Sequence, residues 1–324
     1  MELSLSADQA AILSALESLA KPYAATPTNF RGFALISEAL DRALAEGGFL
    51  DVAYESDLGP VTAALVVAQL ARLPYAAEVS ASALVRPLLG ADLPRPICLA
   101  DAEAPHLPIR FLAPGATVVV LHRDRVRVFT ASVKDVRKAE TLFGYPMAML
   151  VPHADRETTS REVDVSPLAV RTIWRIALAA EIAGLLGAAI DAAVAYVSDR
   201  KQFGRPLGTF QAVRHRLAEA SVRAAGTRWL ALKAADSGDP SDAALAAQYA
   251  QEAATGVVYD LHQFLGAMGI TLEHPLHLWT YRLKALLSEL GGRSAQAVDA
   301  ASLIWDDAEA IGVDPHRAGG HHGV

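Results

Sequence analysis

The chain has a single cysteine among 324 residues, Cys98. No intrachain disulfide framework can therefore hold the fold, and such sparing thiol use fits a reducing compartment. Aromatic residues are equally scarce, at 6%, although hydrophobic residues reach 52%. Alanine carries much of the apolar content, which favours helices packed at close range. There is no basic block: 29 Lys and Arg face 36 Asp and Glu, for a formal charge of -7. A nucleic-acid backbone requires concentrated cations, so no nucleic-acid partner is expected. The sequence also lacks a Gly-x-Gly-x-x-Gly turn after a strand, a P-loop and a His-Glu-x-x-His pair. His274 and His277 lie three apart without a companion ligand. His321 and His322 fall in a glycine-rich tail where histidines are ordinarily solvated, and Cys98 has no local cue for a nucleophile. No metal is expected.

Met1 to Ser18 carries Glu2, Asp8 and Glu17 and has no basic start of a secretory signal, so a cytoplasmic location is expected. Ile176 to Val197 is long enough to cross a bilayer. Glu181 and Asp191 interrupt it, and intramembrane charges are costly. The expectation is a buried bundle helix and no membrane.

What is present is mostly helical patterning. A first helix follows Ala10, Leu13, Leu16 and Ala20 and stops at Pro22. A second is predicted from Phe33 to Ala45, and a third starts at Gly59–Pro60. From Pro94 the character changes. Thr117–Leu121 and Val126–Thr130 read as a hairpin turning at His122–Asp124, and Met147–Val151 as another strand. After Ser166–Pro167 four long helices are predicted: Pro167–Asp199, Thr209–Asp236, Ser241–Leu265 and His274–Ala310. The expected fold is mainly α. A helical unit spans 1–92, a reduced β unit 93–165, a four-helix bundle 166–312 and a flexible tail 313–324.

Ala195 to Gln211 reads AYVSDRKQFGRPLGTFQ. Arg200, Gln202, Phe203, Gly204, Gly208 and Gln211 match in type and spacing the Arg-x-Gln-Phe-Gly turn and following Gln of the acyl-CoA dehydrogenases, which the chain resembles here. A second stretch, QFLGAMGITLEHP from Gln263 to Pro275, resembles that family's Gln-x-x-Gly-Gly-x-Gly turn. Gln263, Gly266, Gly269, Glu273 and Pro275 agree, and Ala267 stands where the second glycine is typical. Gly48–Phe49–Leu50, Gly59–Pro60–Val61 and Leu70–Ala71–Arg72 echo the family's N-terminal helices. The resemblance implies an acyl-CoA dehydrogenase-like fold and FAD as cofactor. Its binding residues would be Arg200, Gln202, Phe203 and Gln211, with Gln263, Phe264, Gly266 and Ala267 meeting a flavin across a subunit interface. The residue types suit that task. An Arg fork pairs with phosphate, Gln amides donate hydrogen bonds, and a Phe ring packs on an aromatic system.

The family's Thr-Glu-x-x-x-Gly-Ser-Asp loop and Trp-x-Thr segment are not found. Its two base positions fall on Leu290 and Trp174, neither a carboxylate. Glu289 is the adjacent candidate base. On a regular helix it would point about 100° away and would otherwise be a solvated helix residue. Glu181, in an apolar stretch, is expected to pair with an arginine or a helix end, with burial raising its pKa. Glu273 is expected to cap or turn.

The resemblance therefore implies one truncated subunit of a heteromeric α2β2 acyl-CoA dehydrogenase. The partner subunit would supply the base, the substrate would be a bulky or steroid side-chain acyl-CoA, and electrons would pass to an electron-transfer flavoprotein. Two alternatives stand beside it: a self-sufficient homo-oligomer using Glu289, and a flavin-free scaffold.

Overall fold

The computed structural model describes residues 4–90, 92–152 and 160–310; the histidines and tail beyond 310 lie outside them. Helix α1 (Ala7–Ala20) opens with a reciprocal cap between Ser6 and Gln9, which satisfies two N–H groups left over at a helix start. Helix α2 (Glu38–Glu46) begins later than the periodicity predicts, because Ser37 takes the capping position and accepts from Leu40 N. Phe33 is used elsewhere: its ring stacks on Tyr281 at 5.8 Å. Helix α3 (Gly59–Ala71) starts at the expected Gly–Pro step. A π turn at Ala81–Val85 leads into the short α4 (Arg86–Leu89).

Strands β1 (Ile97–Asp101), β3 (Thr117–Leu121), β4 (Val126–Thr130) and β7 (Arg161–Val163) form one sheet in the order β1-β3-β4-β7. Strands β2 (Ile109–Arg110), β5 (Val136–Lys138) and β6 (Met147–Leu150) form another, in the order β2-β6-β5. The β3/β4 hairpin pairs Thr117 with Thr130 through to Leu121 with Val126, and His122 N closes its turn on Arg125 O. Side chains alternate across a strand. Val118 accordingly joins Cys98, Ile109 and Phe129 inside the β unit, while Val119 and Leu121 face Val170, Trp174 and Leu290 of the bundle.

The bundle comprises α5 (Pro167–Asp199), α6 (Gln211–Ser237), α7 (Pro240–Leu265), α8 (His277–Leu286) and α9 (Gly292–Ala310). The single fourth helix predicted over His274–Ala310 is thus two. The break is local chemistry: Leu290, Gly291 and Gly292 all have positive φ, at 53°, 80° and 71°, and glycines pass readily into that region. The carbonyls freed by the break are taken up from outside. Gln251 Nε2 donates to Leu286 O and Glu289 O, and Gln296 Nε2 donates to Leu290 O.

Helix α5 is the central member. The most apolar window of this helix is 83% buried inside the fold. Its small residues let α3 approach so closely that a Cβ on Gly184 would stand 2.1 Å from Ala68 O. Gly184→Val must push the two helices apart and should cost about 1–3 kcal/mol or more, as overpacking does, read as a lowered midpoint in urea denaturation. An unchanged midpoint would mean that the contact is not rigid.

Candidate active site

Between the β unit and the bundle lies a cavity of about 530 Å³, a volume that suits a drug-sized ligand. Its walls are mostly apolar, with Ile97, Leu99, Phe111, Phe129, Phe143 and Met147 among them. One end is polar, and three elements build it. Arg110 comes from β2, Trp174 from α5 and Glu289 from the turn between α8 and α9. Arg110 Nε donates to Glu289 Oε1 at 2.6 Å, and Trp174 Nε1 donates to Glu289 Oε2 at 3.0 Å. Arg110 Nη1 donates to both oxygens of Glu181 at 3.1 Å, and Tyr145 OH donates to Glu181 Oε1 at 2.6 Å. The guanidinium also lies 4.8 Å above the Tyr145 ring.

The electrostatics follow from this packing. Burial opposes the charge of Glu181, but Arg110 beside it, with hydrogen bonds from Tyr145, Ser80 and Arg110, holds its carboxyl below the usual range. The direction is opposite to that expected from burial alone; the pairing with an arginine is as expected. Burial likewise opposes the charge of Arg110, and Glu181 and Glu289 outweigh it. Tyr145 is pushed up, first by burial and then by Glu181. Glu289 is therefore no solvated helix residue: both its oxygens are engaged, and its side chain is only 17% exposed.

Sequence reasoning missed the residues that hold this end together. Phe111, next to Arg110, sits at φ 60°, a conformation bulky residues rarely adopt. Arg175, fully buried on α5, donates through Nε to Gln296 Oε1 at 2.6 Å and pairs with Asp299. Gln296 in turn holds Leu290 O, so a chain of contacts from α5 through α9 fixes the backbone that carries Glu289. The available signal was an arginine set within an apolar helix stretch, since buried charges are almost always paired.

The residues matched to flavin binding lie elsewhere. Arg200 ends α5, and Gln202 and Phe203 sit on a hairpin of β8 (Lys201–Gln202) and β9 (Arg205–Pro206). Phe203 is 88% exposed and held at φ 53° at the tip, with Gly204 at φ 79°. Its ring meets Phe210 edge-on at 6.1 Å. Gln211 opens α6 with no side-chain cap on the helix. The other group closes α7: Gln263 and Ala267 are exposed, Phe264 is half-buried, and Gly266 takes φ 57°, ψ -132°. Glu273 lies in the turn that follows, its N–H donating to Thr271 Oγ1. Chain order with short links puts the end of α5, the start of α6 and the end of α7 at one end of the bundle. An edge-on contact at 5.4 Å between Tyr196 and His274 ties the two segments together.

The structure thus brings the two groups to one face and separates both from the cavity. Twenty-six residues of helix between Trp174 and Arg200 span about 39 Å. The exposed face suits a dinucleotide. Arg200 has no side-chain partner among the described residues, the α6 N-terminus offers free N–H groups to phosphate, and Phe203 presents an open ring.

The model for the acyl-CoA dehydrogenase C-terminal domain matches residues 172–297. The acyl-CoA dehydrogenase IpdE2 of Mycolicibacterium smegmatis is 31% identical over 226 residues, covering 66% of this chain and 72% of the relative. The chain belongs to the acyl-CoA dehydrogenase family, whose members are FAD-dependent. Among solved structures, the Tcur3481–Tcur3483 steroid ACAD, determined as a variant, superposes with a TM-score of 0.69 at 22% identity, covering 93% of this chain and 99% of that one. The ChsE4–ChsE5 complex from Mycobacterium tuberculosis gives 0.66 at 18% identity, covering 97% and 100%. These likenesses bear out the mainly α fold with its C-terminal helical domain.

Proposed function

We propose that this chain is one subunit of a heteromeric acyl-CoA dehydrogenase that shares its FAD site with a partner subunit, and that the partner supplies the base. In this reading the units divide at 1–92, 93–165 and 166–312, with 313–324 as a tail. The observation that carries it is the separation of about 39 Å along α5 between the polar end of the cavity and the Arg200 hairpin. A dinucleotide gripped at the hairpin then reaches a cavity on another chain. The names of two structural neighbours, one pairing Tcur3481 with Tcur3483 and the other the ChsE4–ChsE5 complex, support this reading, and the word steroid in the first supports a bulky steroid-type acyl-CoA. When bound, the flavin would accept the hydride from Cβ while a carboxylate removes the α-proton. In this chain Arg200, Gln202, Phe203 and Gln211 would grip it on one side. Gln263, Phe264, Gly266 and Ala267 would meet one held by the partner. A soluble electron-transfer flavoprotein would take the electrons, in the cytoplasm.

Glu289 tests who supplies the base. A base must stand within reach of the α-proton beside the flavin, whereas Arg110 and Trp174 hold Glu289 at the polar end of the cavity, about 39 Å along α5 from the hairpin. Glu289→Gln in the complex is expected to keep kcat within about tenfold. A fall of about 10²–10⁴, the usual contribution of a general base, would instead establish the self-sufficient enzyme. The visible absorption spectrum decides the sharing. Flavin should appear on the co-purified complex, and stoichiometric flavin on this chain alone would contradict the shared site.

A further inference from the structure

The polar end of the cavity has a donor and an acceptor side by side that the fold does not use up. Arg110 spends Nε on Glu289 and Nη1 on Glu181. Its remaining nitrogen, Nη2, has no partner among the described residues and is not one of the buried unsatisfied atoms. Arg110 lines the cavity, so Nη2 opens onto it. Glu289 lines the same wall, and each of its oxygens accepts a single hydrogen bond from the chain, leaving acceptor capacity free. Glu181 and Glu289 share Arg110, and the charge of Arg282 also reaches Glu181, so within the cavity the local contrast is between the Arg110 donor and the Glu289 acceptor. The lining beyond it is predominantly apolar.

We propose that this corner is a specificity site for a hydroxyl group on a large, otherwise apolar ligand, with the oxygen accepting from Arg110 Nη2 and its hydrogen donated to Glu289. The proposal rests on the acyl-CoA dehydrogenase reading in taking the cavity as the acyl pocket, and it names the class of acyl group: a bulky hydrocarbon body bearing an alcohol. The alternatives fit less well. At this corner an anion meets the Glu289 carboxylate, and an ammonium meets the Arg110 donor. A ketone sets its oxygen against the Glu289 lone pairs. A plain hydrocarbon leaves Nη2 and Glu289 stripped of water without a partner, which is where hydroxyl-reading sites gain their discrimination. The pair is also preorganised, because Glu181, Tyr145 and Trp174 fix it from three sides.

Size-matched probes test this on the full chain by equilibrium dialysis: 2-naphthol, naphthalene and 2-naphthoate. The wild-type chain should prefer naphthol over naphthalene by about 10- to 100-fold, the range for a hydrogen bond to a charged group, after allowance for their different transfer from water. Naphthoate should bind most weakly. In Glu289→Gln the naphthol preference should fall to within about threefold, with naphthalene affinity kept. In the single variant the new amide N–H faces Trp174 Nε1–H, so the double variant with Trp174→Phe serves as a second readout should the first not fold. Equal affinities for naphthol and naphthalene in the wild type, or a preference that survives both variants, would overturn the proposal. Dialysis needs no flavin, so the two readings fail separately. A complex that binds flavin but whose chain ignores the hydroxyl sinks only the specificity site. A chain that selects naphthol in a complex without flavin sinks only the dehydrogenase reading.

Discussion

Arg110→Met should lower the stability of the chain by about 3–5 kcal/mol, the cost of breaking a buried ion pair from one side. The side chain is 13% exposed and sits between Glu181, at 8%, and Glu289. Methionine fills much of its volume but takes the paired guanidinium from both carboxylates, leaving Glu181 only the charge of Arg282, whose hydrogen bonds go to backbone carbonyls. Urea denaturation gives the magnitude, and a double variant with Glu181→Gln should recover a large part of it, because the loss is mostly that of an orphaned charge. The wild-type chain should also show the sign of the linkage. The folded pKa of Glu181 is lowered from 4.5. Its contribution is therefore complete above that unfolded value and disappears as pH falls through the lower, folded one. Glu181→Gln should flatten this acid limb. A methionine variant as stable as the wild type would mean that the corner is wetter than its packing indicates.

Arg200→Ala should reduce the FAD affinity of the assembled complex by about 10- to 100-fold, the worth of a charge-assisted hydrogen bond to phosphate. The expectation rests on exposure as much as on the motif. Arg200 has no side-chain partner in its own chain among the described residues, so its loss should leave stability nearly untouched, and the two effects can be read apart. Flavin content of the purified complex against its thermal midpoint is the measurement. Unchanged flavin with unchanged stability would favour the flavin-free scaffold.

Much of this architecture was legible in the sequence. The bounds of α5, β3 and β4 coincide with the periodicity, because long apolar repeats and a two-strand alternation with a polar turn are local signals. The hairpin at Arg200–Gln202–Phe203 was legible as a motif for the same reason: its residues are contiguous. What stayed hidden depends on contacts between distant segments. Helix propensity carries a reading straight through Leu286 to Gly292, and nothing local announces that Gln251 and Gln296 will accommodate the carbonyls of a break there. The partner of Glu181 was expected in kind but not in identity, since Arg110 lies 71 residues away in the chain. The sign of its pKa shift was missed for the same reason: burial can be read from an apolar run, but the counter-charge cannot.

The two glutamines that hold the Glu289 turn have a consequence for how the molecule moves. The turn leans for its carbonyl hydrogen bonds on amides projected from α7 and α9. It therefore has no stable form of its own to adopt before those helices dock, and little freedom to loosen while they remain docked. Opening this corner of the cavity is tied to separating the helices themselves, so local breathing and global unfolding draw on the same event. A ligand that must enter or leave by this side would find a door fastened to the frame of the house.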